Sequence, residues 1–117
     1  MRKFILAAAM SAFTLPAFAI GNVSVVGQAG VGNAQGTFQN GAFNASATGQ
    51  AGFFNQSLTN QLGIGNVSGT GQVGALHSSS TTQIGIGNAS GTLQTGLANS
   101  ASTTQVGAGN VSITQQN

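Results

Sequence analysis

Between Asn66 and Gln72 the chain alternates with period two. Asn66, Ser68, Thr70 and Gln72 fall on one side, and Val67, Gly69 and Gly71 on the other. Strict alternation of this kind is the signature of a β-strand with two unlike faces. The run from Asn88 to Gln94 repeats the frame with Ala89, Gly91 and Leu93 in the variable set. Each Gln is followed by a short glycine-bearing segment, such as VGAL or IGIG, where a chain can turn at low steric cost. The pattern predicts strand, arc, strand, arc.

The frame is periodic. Gln28, Gln39, Gln50, Gln61, Gln72, Gln83, Gln94, Gln105 and Gln116 recur every eleven residues without a slip. A second column holds Asn22, Asn33, Asn44, Asn55, Asn66, Asn88, Asn99 and Asn110, with His77 in the one remaining place. Two residues after the first eight glutamines stand Gly30, Gly41, Gly52, Gly63, Gly74, Gly85, Gly96 and Gly107, read as turn glycines. The best-matched copies, QLGIGNVSGTGQ, QIGIGNASGTLQ and QVGAGNVSITQQ, lie 22 residues apart, so the structural period is 22. An eleven-residue helical repeat is excluded, because nineteen glycines fall within the chain and each costs a helix about 1 kcal/mol relative to Ala. The expected fold is all-β: a β-solenoid of 22 residues and two strands per coil, with coils stacked about 4.7 Å apart.

Stacking at that spacing explains the columns. An amide carries both donors and an acceptor, so identical Gln or Asn side chains can bond one another along the axis, and one Leu in the column would orphan its neighbours. The same ladder logic is expected for Ser46, Ser68, Ser90 and Ser112 and for Thr48, Thr70, Thr92 and Thr114. The polar columns therefore point inward, and the freely varying set faces out.

The first 19 residues, MRKFILAAAMSAFTLPAFA, read as an export signal: Arg2 and Lys3 at the basic end, an apolar stretch, and Ala17-Phe18-Ala19 as a cleavage site. Residues 20–117 are then one repeat domain without Lys, Arg, Asp, Glu or Cys and with a single His. Nucleic acid is a poor partner for such a chain, since phosphate binding rests on Lys and Arg. Enzyme chemistry is equally poorly supplied, because Ser, Thr and one His are all that remain of the usual acids, bases and nucleophiles. No cofactor, metal or small-molecule substrate is expected: His77 has no ligand companions, and the glycines of GIGNVSG are misspaced for a nucleotide loop. The Asn-x-Ser matches arise from the repeat itself. Val31, Phe53, Phe54, Ile64, Ile86 and Leu97 fall in the arcs, where they either fix the turn or mediate lateral association.

The recurring Q-x-G-x-G-N, followed by alternation to another Gln, resembles the curlin repeat of bacterial curli subunits. It differs in carrying Ser and Thr at the inward strand positions. The resemblance spans residues 22–117, and the spacing is closer to the minor, nucleating type of subunit. It implies a secreted functional amyloid at the bacterial surface, in biofilm matrix and adhesion. The partners it implies are further copies of the chain stacked end to end, a companion curlin subunit and outer-membrane export machinery. A chain ending in ordinary repeat sequence, with no capping element, fits that expectation. The alternative is a monomeric binding solenoid, such as an ice-binding protein, using Thr81, Thr82, Thr103 and Thr104 in exposed rows.

Overall fold

In the computed structural model the described residues are Ser11–Thr14 and Ile20–Asn117. They form ten strands and no helix: β1 (Ser11–Thr14), β2 (Val23–Val31), β3 (Ala34–Ala42), β4 (Ala45–Phe53), β5 (Gln56–Ile64), β6 (Val67–Ala75), β7 (Ser78–Ile86), β8 (Ala89–Leu97), β9 (Ser100–Ala108) and β10 (Val111–Gln116). Successive strands pass alternately into two sheets. The odd sheet runs β1-β3-β5-β7-β9 and the even sheet β10-β8-β6-β4-β2. All pairing is parallel, and from β2 onward it keeps an offset of 22, so that Ser46 lies on Ser68, Thr48 on Thr70 and Gln50 on Gln72. This is the β-solenoid expected from the period. The proposed export signal lies outside the described residues apart from Ser11–Thr14, which pair with the start of β3.

The strands are longer than the alternating runs that signal them. From β2 to β9 each has nine residues and continues through the Gln-x-Gly-x segment. Gly74 and Ala75, assigned to an arc on glycine content, therefore belong to β6. The reason lies in the direction of the ladder. Backbone bonds run along the solenoid axis, so a coil can stay paired with its neighbour while its own path bends.

Two positions make each bend. The first is the glycine after Gln, with φ between 117° and 132° at Gly30, Gly41, Gly52, Gly63, Gly74, Gly85 and Gly107. The second is the residue before each corner Asn or His77, which is left-handed throughout: Gly21, Gly32, Gly65, Gly87 and Gly109, but also Phe43, Phe54, Leu76 and Ala98 at φ 53–62°. A non-glycine residue pays roughly 1–2 kcal/mol for that conformation. Where it is aromatic it covers the coil beneath: a Cβ on Gly21 would come within 2.8 Å of the Phe43 ring, and one on Gly32 within 2.5 Å of the Phe54 ring.

Burial follows the alternation. Asn, Ser, Thr and Gln occupy the interior, while Ala101 is the one buried apolar side chain among the described residues. Large apolar side chains, including Phe53, Phe54, Leu76 and Leu97, are on the outside. The core is a sandwich of hydrogen-bonding groups in place of hydrocarbon.

Candidate functional site

The interior ladders are the chemically distinctive feature. In the even sheet Gln28 donates to Gln50 (2.6 Å), Gln50 to Gln72 (2.6 Å), Gln72 to Gln94 (2.7 Å) and Gln94 to Gln116 (2.9 Å), each from Nε2 to Oε1. The odd sheet repeats this from Gln39 through Gln61 and Gln83 to Gln105 at 2.7–2.8 Å. The geometry is a consequence of amide size. Oxygen and nitrogen of one amide are about 2.2 Å apart by standard bond lengths. Adding a hydrogen bond to that separation nearly matches the rung spacing of about 4.8 Å. The second Nε2 hydrogen crosses the core, as in Gln50 to Ala34 O (3.1 Å), Gln61 to Ala45 O (3.0 Å) and Gln72 to Gln56 O (2.9 Å). From Gln39 to Gln94 each column glutamine thus ties its coil to the next and one sheet to the other.

The asparagines staple the corners. Asn66 Nδ2 donates to Leu62 O (3.2 Å) across the bend and to Gly85 O (3.1 Å) in the next coil, and its backbone N–H donates to Asn44 Oδ1 (3.0 Å). Asn33, Asn44, Asn55 and Asn88 make the same paired Nδ2 contacts. The carbonyl that receives the second contact belongs to a turn glycine. Gly52, Gly63, Gly74 and Gly85 are irreplaceable for a separate reason: a Cβ on Gly63, for example, would lie 1.9 Å from Gly85 O.

His77 substitutes for Asn at one corner and is 1 % exposed. Its Nδ1 accepts from the Asn99 N–H (3.3 Å), and its Nε2 donates to Val73 O (3.1 Å). Those partners define the neutral tautomer with hydrogen on Nε2. No bond to Gly96 O accompanies them, and Gly96 has a φ of 96°, apart from the other turn glycines. The imidazole reproduces two of the three Asn contacts.

The hydroxyl columns behave differently from the expectation that they form ladders. Ser46, Ser68, Ser90, Thr48, Thr70 and Thr92 in the even sheet, and Ser57, Ser79, Thr59 and Thr81 in the odd sheet, bury oxygens that have no protein partner. A hydroxyl bond spans about 2.7–2.8 Å, far short of the rung spacing, and a single oxygen cannot bridge the difference as an amide does. Only small size suits these residues to the narrow interior. Thr70→Val, nearly isosteric, should therefore leave stability unchanged or raise it by about 1 kcal/mol, since it removes an unpaired buried hydroxyl. The urea midpoint of the variant chain measures this, and a loss above 1 kcal/mol would show that the hydroxyl is bonded.

Strand parity also bears on the threonine rows. Thr81 and Thr103 are buried, whereas Thr82 and Thr104 face outward in register with each other. The four residues do not share a face, because neighbours in a strand point to opposite sides. Among the described residues no cluster of His, Cys, Asp or Glu could hold a metal ion. Comparison with protein-family models and with curated proteins finds no match for this chain.

Proposed function

We propose that this chain is an exported structural subunit that polymerises end to end into an extracellular, curlin-like amyloid fibre. One observation carries the reading. Gln28 Oε1, at the end of the even-sheet ladder, is buried and among the described residues has no donor. A glutamine from another copy, set one rung below, would supply it. The ladder is the same at every rung, so a coil from another chain is as good a neighbour as one from the same chain. An apolar core closes on itself; a ladder of amides does not. The absence of charged side chains from residues 20–117 removes the repulsion that usually keeps strand edges apart.

Purified chain without the export signal, residues 20–117, should assemble without any cofactor into fibres with reflections near 4.7 and 10 Å. Assembly should respond weakly to moderate salt, as few charges are present to be screened. A chain that stays monomeric for days at high concentration would overturn the reading, and freezing hysteresis in that same sample would favour the ice-binding alternative. In the fibre reading the companion subunit and the export machinery are the remaining partners, and biofilm matrix and surface adhesion are the setting.

A further inference from the structure

The outward face of the even sheet carries small residues in an uneven arrangement. Gly27, Gly49 and Gly71 stack in register and floor a shallow groove of about 570 Å³ that runs along the solenoid axis. A Cβ on Gly27 or Gly49 would meet nothing within 4 Å. The next residue in the column is Leu93, 43 % exposed, and it closes the groove like a peg at the end of a slot.

We infer that this face pairs with the same face of a second copy, with the two solenoids antiparallel. The relation is a two-fold axis parallel to the strands, lying between the faces and passing midway between β4 and β6. It sets β2 against the partner's β8 and β4 against the partner's β6. Leu93 then enters the slot at Gly27, and Gly49 meets Gly71. In the flanking columns large again meets small, with Val73 opposite Ala51 and Val67 opposite Ala45.

Other registers lose this fit. An axis through β6 would place Val67 on Val67 and Val73 on Val73, and would press Gln115 and Asn117 onto Gly27 and Ala29. An axis between β6 and β8 would press Gln115 and Asn117 onto Gly49 and Ala51, burying amides without partners. Parallel solenoids would set Leu93 against Leu93. The seven residues before each bend, over four strands, present roughly 23 by 19 Å, or about 870 Å² over both copies, the size of a weak interface that a fibre repeats along its length. Neither face carries a charged side chain to oppose the contact.

The test pairs Gly27→Leu with Thr82→Leu, a substitution on the outer face of the odd sheet. In Gly27→Leu the added side chain would meet Leu93 of the second copy where the slot had been, while in its own chain a Cβ at that position meets nothing within 4 Å, so the variant should fold. In fibres of residues 20–117 the mass per unit length, read by electron microscopy, should fall about twofold in Gly27→Leu and stay at the wild-type value in Thr82→Leu. Wild-type fibres of single width, or a Gly27→Leu fibre of unchanged mass per length, would overturn the pairing. If no fibres form, it is the proposed polymerisation that fails. The pairing is then read by sedimentation equilibrium, where it requires a wild-type dimer and a Gly27→Leu monomer, and a wild-type monomer overturns it.

Discussion

Gly63→Ala should abolish the stacked solenoid. The added Cβ would sit 1.9 Å from Gly85 O, with the Gly85 carbonyl carbon at 2.8 Å, so backbone must move and no side chain can yield in its place. The backbone at Gly63, φ 124°, is itself one that alanine rarely adopts. Opening the gap between coils by even 1 Å would break the amide bonds on both sides of the site. The cost belongs to the exceptional class, about 4–5 kcal/mol or more. Gly49→Ala provides the contrast, since its Cβ meets nothing within 4 Å. Circular dichroism and fibre diffraction should show loss of β-structure in the first variant alone. Normal assembly of Gly63→Ala would mean that the coils do not stack with Gly63 beneath Gly85.

The second large effect is expected at the middle of a ladder. Gln72→Leu deprives Gln94 Oε1 and Gln56 O of their donor and removes the acceptor of one Gln50 hydrogen. Each buried group left unpaired costs about 1–3 kcal/mol, so the variant should lose about 3 kcal/mol or more. The urea midpoint of the unassembled chain measures this. In that unassembled chain Gln28→Leu, at the end of the same ladder, forfeits a single side-chain bond and should cost only about 1 kcal/mol. Equal losses at the two positions in that measurement would rule out a ladder that gains from being continuous.

These two expectations draw on different kinds of information. The glutamine column is legible in the residues alone, because a side chain that must meet its own copy every turn cannot drift in spacing. Alternation likewise marks which side chains enter the core, and Asn66, Ser68, Thr70 and Gln72 are all buried. The extent of the strands is less legible. Glycine content marks Gly74 and Ala75 as a bend, and they do bend, yet they also pair with Gly96 and Leu97 in the coil above. Local composition records the turn but not the neighbour that keeps it in the ladder. The left-handed positions at Phe43, Phe54, Leu76 and Ala98 are hidden for a similar reason. Nothing in these residue types calls for a positive φ; it is imposed by the path around the corner.

The period of 22, the two strands per coil and the inward set of polar residues are properties of one strand repeated, and one strand suffices to read them. Which of those polar residues bond is a different matter. Ser and Thr recur almost as regularly as Asn and Gln, with Gln35 and Ala101 interrupting the Ser column and Val26 the Thr column, yet the amides form chains while ten hydroxyls have no protein partner. The difference arises from a distance that no single strand contains, the rung spacing set by backbone bonds between coils. An amide can cross it with one hydrogen bond and a hydroxyl cannot. The slot at Gly27, Gly49 and Gly71, and Leu93 at its end, exist on the same terms. They are residues 22 apart that become a surface only when the coils are stacked.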